Sequence, residues 1–133
     1  ICGLLFNFAN PQGLRLTQKS WSEDPIATIT PVMANQKYNQ GEVLFIDARP
    51  SSFYAQEHIK GALSLPADLF DIAYLMEREQ IDRAHEIVVY GRTISSLYDE
   101  QVAAKLRLRG HTNVSILAGD LSTWKKKGYP TAP

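Results

Sequence analysis

Three short apolar segments, each bounded by turn residues, constrain the fold of this chain more than any other feature. They are EVLFIDA at 42–48, EIVVY at 86–90 and NVSIL at 113–117. Their length and their nearly continuous apolar character are typical of strands that are buried on both faces. Helical segments separate them, and this alternation predicts an α/β fold, a parallel sheet with helices on both faces. Such sheets bind their ligands beyond the carboxyl ends of the strands.

The helical segments carry signals for their ends. Thr30 is placed to cap a helix that has Pro31 in its first turn and Gly41 just beyond its end. We expect Ser51 and Ser52 to cap a second, short helix. Apolar residues in the segment 67–81 recur at three- and four-residue spacing, which predicts an amphipathic helix with that side against the core. These residues are Leu69, Ile72, Ala73 and Met76.

The loop after EIVVY lies at a carboxyl end of the predicted sheet and is the candidate site. It consists of Gly91, Arg92, Thr93, Ile94, Ser95 and Ser96. Ser96 with Asp99 resembles a capping box and predicts the start of the next helix. Loop amides and a helix N-terminus form a concave anion site, to which Arg92 can add a cation. We expect weak binding of sulfate, phosphate or a carboxylate here; the alternative is a loop filled by Arg92 or Tyr98.

Composition excludes several function classes. Lys plus Arg and Asp plus Glu are 14 each, so the chain has no net charge with which to attract nucleic acid. The single cysteine, Cys2, excludes an internal disulfide and a cysteine-based zinc site. His58, His85 and His111 do not have metal-ligand spacing. The sequence therefore predicts neither a metal site nor a cofactor.

The N-terminal residues differ in character from the rest. Ile1–Phe8 is strongly apolar, and a polar arm follows it, so we divide the chain into a segment at 1–25 and a domain at 26–133. Eight helical residues reach only about 12 Å, whereas a membrane span needs about 20 residues. Ile1–Phe8 is either an anchor to a membrane or a protein partner, or a strand packed on its own domain. The predicted localisation depends on this choice. A membrane anchor would make the protein membrane-associated, and otherwise it is cytoplasmic.

Two stretches of the sequence resemble rhodanese-like domains. The first is VLFIDARPSSFYAQEHIKGALSLP at 43–66, and the second runs from IVVY to NVSILAGDLSTWKKKGYP. The matching residues of the first are Asp47, Arg49, Tyr54, His58, Ile59, Gly61, Ala62 and Pro66, and those of the second are Ala103, Ala104, Leu106, Gly110, Trp124, Gly128 and Pro130. Together the two stretches cover about residues 26–132.

The resemblance implies a three-layer α/β/α fold with a five-stranded parallel sheet. Active family members transfer sulfane sulfur through a persulfide on a cysteine that directly follows the strand matching IVVY, and Gly91 occupies that place. The loop length is similar to that of a membrane-attached subgroup with two loop cysteines, whose second cysteine corresponds to Ser96. The resemblance makes Asp47, Arg49 and His58 structural residues rather than acid/base groups, and Trp124 a core residue.

Three function classes follow from these observations. The first is a catalytically inactive rhodanese-like domain, a pseudoenzyme used for binding or assembly, in which the family nucleophile has been lost. The second is a sulfurtransferase whose thiol comes from a partner chain, or whose original cysteine has been replaced by Gly91. The third is a different enzyme that uses the loop to bind an oxyanion. Serine catalysis by Ser95 or Ser96 would need an adjacent base, and no histidine is close in sequence.

Overall fold

The computed structural model describes residues 25–133, in which strands and helices alternate along the chain. The elements are β1 (Ala27–Ile29), α1 (Pro31–Gln40), β2 (Val43–Asp47), α2 (Ser51–Gln56), β3 (His58–Ile59), β4 (Leu63–Ser64), a 3₁₀ turn (Ala67–Leu69), α3 (Phe70–Arg83), β5 (Glu86–Tyr90), α4 (Tyr98–Leu108), β6 (Val114–Leu117), α5 (Leu121–Lys126) and β7 (Thr131–Ala132).

Five of the strands form one parallel sheet in the order β1-β6-β5-β2-β4. The two most apolar strands, β2 and β5, are neighbours at its centre, with Phe45 opposite Val88 and Asp47 opposite Tyr90. Strands β3 and β7 form a separate antiparallel pair. The predicted five-stranded parallel sheet is therefore confirmed, and β1 and the small β3-β7 pair are elements that the sequence did not indicate.

Apolar clusters on the two faces of the sheet make the three layers. Successive residues of a strand point to opposite faces, so Phe45 and Val88 belong to one cluster, whereas Ile46 and Val89 belong to the other. The Ile46 cluster is completed mainly by α3 and α4, and the Phe45 cluster by α1 and α5. Trp124 of α5 is fully buried in the second cluster, and its Nε1 donates to the Pro130 carbonyl at 2.9 Å.

The predicted ends of α1 are confirmed. The Thr30 hydroxyl accepts a hydrogen bond from the Met33 amide at 3.2 Å, and Gly41 ends the helix in a left-handed conformation. The predicted caps of α2 are wrong, because Ser51 is its first helical residue and Pro50 holds the cap position without a side-chain bond. Proline has no side-chain acceptor, so the first amides of α2 receive no side-chain cap.

Helix α3 is amphipathic, but its predicted core side is wrong for three of the four predicted residues, and only Ala73 packs against the core. The buried residues of this helix are Phe70, Tyr74 and Ile81. Leu69 and Ile72 are 52% and 64% exposed, and Met76 is 77% exposed. Two apolar stripes run along this helix, and the stripe with the larger aromatic side chains is the one that packs on the sheet.

The expectations for the N-terminal segment lie outside the described residues. These are the anchor at Ile1–Phe8 and the polar arm, and the division at 25/26 stays a prediction because the described residues begin there. Within residues 25–133, no helix is both long enough and apolar enough to cross a membrane.

The contrast between the two caps gives a stability test. We expect Thr30→Ala to lower the free energy of unfolding by about 1 kcal/mol, because it removes the acceptor for the Met33 amide. Ser51→Ala is the matched control, and its effect should stay within about 0.5 kcal/mol because the Ser51 side chain caps nothing. Chemical denaturation of both variants measures this difference, and equal losses would contradict the assignment of the caps.

Candidate functional site

A cleft of about 520 Å³ opens at the carboxyl ends of the central strands. The loop 91–97 after β5, the start of α2 after β2 and the start of α5 after β6 surround it. Its lining residues are Arg49, Phe53, Glu57, Arg92, Thr93, Ile94, Ser95, Asp120, Leu121, Ser122 and Lys125. The cleft is therefore at the position where parallel sheets bind ligands.

A buried carboxylate lies behind the cleft. Asp47 is fully buried at the end of β2 and is paired with Arg49, whose Nη2 is 2.6 Å from Asp47 Oδ2 and whose Nε is 3.0 Å from Oδ1. The same Nη2 also donates to the Glu57 carbonyl at 2.6 Å. Asp47 and Arg49 thus form a buried ion pair in which both side chains already have partners.

Tyr90, the last residue of β5, completes this network. Its hydroxyl donates to Asp47 Oδ2 at 2.9 Å and accepts from the Ile59 amide at 2.9 Å. Burial, together with the negative charge of Asp47, raises the pKa of Tyr90 well above its ordinary value. The phenol therefore stays protonated and keeps donating to Asp47.

Gly91 follows Tyr90 with a backbone conformation that favours glycine. Its φ is +140°, a value that side-chain-bearing residues rarely adopt. A Cβ built at this position would lie 3.1 Å from Arg49 Cγ, 3.1 Å from the Arg49 amide nitrogen and 3.2 Å from the Ala48 amide nitrogen. These atoms belong to the chain segment that the Asp47 network holds in place, so position 91 has little room for any side chain.

Some backbone groups of the loop 91–97 form hydrogen bonds within the loop itself. The Thr93 amide donates to the Ser96 carbonyl at 2.9 Å, and the Ser96 amide donates to the Thr93 hydroxyl at 3.1 Å. The predicted capping role of Ser96 is wrong, because α4 begins at Tyr98 and Leu97 holds the cap position without a side-chain bond. In the first turn of α4 the Asp99 carboxylate accepts a hydrogen bond from the Glu100 amide at 2.8 Å instead.

Arg92 forms ion pairs with two acidic residues at the start of α4. Its Nε is 3.3 Å from Asp99 Oδ2, and its Nη2 is 3.2 Å from Glu100 Oε2. The Asp99 side chain is fully buried, and burial raises its pKa above the usual range, although the Glu100 amide and Arg92 oppose this shift. Arg92 thus lines the cleft, but its single positive charge is shared between two carboxylates.

The opposite wall of the cleft carries charges that are also paired. Lys125 Nζ lies 2.7 Å from Glu57 Oε1, and this bond is the main reason that the pKa of Glu57 is lowered. Asp120 caps α5 and accepts from the Ser122 hydroxyl at 2.8 Å, which lowers the pKa of Asp120. The unpaired surface of the cleft is mainly apolar and comes from Phe53, Ile94 and Leu121.

The described residues provide no evident nucleophile in this cleft. Cys2 is outside them, and the cleft lining given by residues 25–133 contains no histidine that could activate Ser95. His58 lies elsewhere: its Nδ1 is 2.8 Å from the Tyr54 carbonyl oxygen, and its ring stacks on Tyr54 at 3.8 Å. Within the same range, no group of three or more His, Cys, Asp or Glu side chains could hold a metal ion.

The structure brings together most, but not all, of the predicted site residues. The loop residues 92–95 line the cleft with Arg49, whereas His58 and Trp124 do not line it. Sequence reasoning missed Phe53, Leu121 and Lys125. Phe53 follows β2, and Leu121 and Lys125 follow β6, so the rule that sites form beyond strand ends could have found them.

Comparison with known proteins identifies relatives of this chain. The family model of the rhodanese-like domain matches residues 30–127. An uncharacterized protein of Synechocystis sp. is 31% identical over 104 residues, which are 78% of this chain and 55% of that protein. The chain therefore spans about half the length of this curated relative.

Solved structures show the same fold. The rhodanese-like domain of a protein from Anabaena sp. is 25% identical, with a TM-score of 0.66 and coverage of 81% of this chain and 80% of that chain. The thiosulfate sulfurtransferase from Pseudomonas aeruginosa is also 25% identical, with a TM-score of 0.66, over 81% of this chain and 19% of that chain. A protein from Bacillus halodurans, at 21% identity and a TM-score of 0.67 over 92% of this chain and 86% of that chain, supports the fold alone.

The conformation of Gly91 predicts that its replacement by alanine destabilises the protein more than the same replacement at Gly41. Gly91→Ala should lower the free energy of unfolding by about 2–3 kcal/mol, because it adds backbone strain and contacts with Arg49 and Ala48. Gly41→Ala is the matched control: its φ is +76°, but no atom lies within 4 Å of the added Cβ, so about 1 kcal/mol is expected. Denaturant unfolding compares the two variants, and an equal or smaller loss for Gly91→Ala would refute the crowding at position 91.

Proposed function

Because the chain belongs to the rhodanese-like domain family, we propose that it is a catalytically silent member that acts as a binding and assembly module. Sulfur transfer in the family needs a thiolate directly after the strand that corresponds to β5. Gly91 occupies that place and has no atom that can carry sulfur. The single observation that carries the proposal is the backbone there, since its φ of +140° and its contacts favour glycine.

The cleft of a silent member retains features that suit binding. Phe53, Ile94 and Leu121 give it an apolar lining, and Ile94 is fully exposed at the tip of the loop. Apolar clefts with a few polar groups are the common form of binding sites. The paired charges of Lys125 and Glu57 at the rim favour a ligand that is itself mostly apolar, such as a side chain of a protein partner.

We propose that a small anion binds at the loop 91–96 beside this apolar cleft. The loop's own bonds occupy the amides of Thr93 and Ser96. The amides of Ile94 and Ser95, at the tip of the loop, would therefore donate hydrogen bonds to the anion. Arg92 contributes little because Asp99 and Glu100 already neutralise it.

The N-terminal segment supplies the second part of the proposed assembly role. Ile1–Phe8 is apolar, whereas the residues that join it to the domain are mostly polar. This pattern favours an anchor that attaches the domain to a membrane or to a protein partner. The catalytic silence of the cleft does not depend on which of these the anchor binds.

A second candidate function is sulfur transfer with a thiol from elsewhere. The thiosulfate sulfurtransferase from Pseudomonas aeruginosa has 25% identity over 81% of this chain, and the cleft beside the loop is open. In this case a partner chain would supply the nucleophile, or Gly91 would stand in place of an original cysteine.

Sulfur transfer from thiosulfate to cyanide separates the two candidates. We expect the purified chain to show no turnover and no protein-bound labile sulfur, and Gly91→Cys to remain inactive because the backbone disfavours a side chain at 91. Gly91→Ala controls for the effect of the added Cβ without a thiol. Turnover by the unmodified chain would contradict the proposal that the domain is catalytically silent. Turnover by Gly91→Cys would mean that the loop can re-form around a thiol.

Anion binding is tested by NMR titration of the amide signals with sulfate and thiosulfate. We expect millimolar affinity and the largest shifts at Ile94 and Ser95, with smaller shifts at Thr93 and Ser96, whose amides are already bonded. Arg92→Gln should change the affinity less than threefold because Arg92 is neutralised in place. Unmoved signals at the loop tip, with sodium chloride at equal ionic strength as the control, would disprove the anion site.

A further inference from the structure

A second cavity, of about 320 Å³, opens beside β1 at the edge of the sheet. We call it the β1 groove. Its walls include Ile26 and Thr28 at the start of β1, Ile116 of β6, Glu100 and Ala104 of α4, and Arg92. Arg92 also lines the cleft, whereas the other five residues do not. The volume is within the range of sites that hold a small organic group, and the proposed function does not use it.

The β1 groove is an incompletely filled part of the apolar layer between the sheet and α4. Ile116 is buried and lies opposite Thr28 in the sheet. Ile26 packs against the Ile46 cluster but is only partly buried. Ala104 is exposed on α4, and its small side chain leaves the space towards β1 open. Because β1 is an edge strand, and natural sheets commonly cover such edges with another segment of chain, the groove is a place for a covering group.

The polar residues of the β1 groove narrow the chemistry of that group. Glu100 Oε2 is 3.2 Å from Arg92 Nη2, and no hydrogen bond within residues 25–133 uses the other oxygen, Oε1. Apolar walls with one such acceptor suit a flat apolar group that carries a single N–H donor, which is the chemistry of an indole. Arg107 follows Ala104 by three residues, so both lie on the same side of α4, and Arg107 suits an acidic neighbour of that indole.

The chain carries an indole close to the β1 groove in sequence. Pro25 lines the groove, and Trp21 precedes Pro25 by four residues, a separation that spans at most about 14 Å. The residues between them include the acidic pair Glu23 and Asp24. Serine, aspartate and proline in the sequence SEDP at 22–25 also favour a turn. The other tryptophan of the chain, Trp124, is fully buried in the Phe45 cluster.

We propose that Trp21 of this chain binds in the β1 groove, with its ring between Ile26 and Ala104 and its N–H donating to Glu100. A turn at residues 22–25 would place Trp21 opposite Ile26, and residues opposite each other on neighbouring segments face the same side. The acidic pair before Pro25 would then lie towards Arg107. Trp21 thereby covers the edge of the sheet and fixes the point at which the N-terminal arm leaves the domain. This contact is independent of the missing nucleophile.

Nuclear Overhauser effects in the isotope-labelled full chain test the contact directly. The chain has two indole N–H signals, and Trp21→Ser identifies the Trp21 signal by removing it. We expect cross-peaks from the Trp21 ring to the methyl groups of Ala104 and Ile26. A folded chain without these cross-peaks, or with cross-peaks from Trp21 to another surface, would contradict the proposal. Cross-peaks that arise only between differently labelled copies would also contradict it, since Trp21 would then occupy the groove of a second chain.

Acrylamide quenching of tryptophan fluorescence supplies a second test with matched variants. Ala104→Glu should raise the quenching constant about twofold, because a carboxylate in the apolar part of the groove expels the indole. Gln101→Glu is the control: Gln101 is also exposed on α4 and lies outside the groove, so quenching should not change. Trp124 stays buried in both variants, and circular dichroism should show that both keep the helix content of the parent.

The Trp21→Ser background shows which tryptophan reports the change. There, Ala104→Glu should leave the quenching constant unchanged, because the remaining Trp124 does not line the groove. Two results would overturn the proposal: equal quenching of the parent chain and Ala104→Glu, or equal rises in Ala104→Glu and Gln101→Glu.

Discussion

The buried carboxylate of Asp47 is the constraint on which the site depends. An ionised carboxylate away from water is costly unless charged or polar donors surround it. Here Arg49 and Tyr90 supply those donors, and Tyr90 also accepts from the Ile59 amide. The network therefore ties the ends of β2 and β5 to β3, which fixes the geometry of the strand ends where the cleft opens.

The same network limits what can follow β5. Because Arg49 folds back to reach Asp47, its backbone and Cγ pass within 3.1 Å of the place where a side chain at 91 would begin. The organisation of the cleft and the crowding at position 91 are thus two consequences of one ion pair. A side chain at 91 would require a different path of the loop, so the glycine at this position and the present loop conformation are consistent with each other.

The sequence predicted the elements whose signal is local and unambiguous. β2 and β5 are short apolar runs between turn residues, and Thr30 with Gly41 marks both ends of α1. The failures have a physical reason as well. Ser96 can either cap a helix or close a turn with Thr93, and only the three-dimensional path of the loop decides between them. Periodicity likewise could not choose between the two apolar stripes of α3, because both have helical spacing.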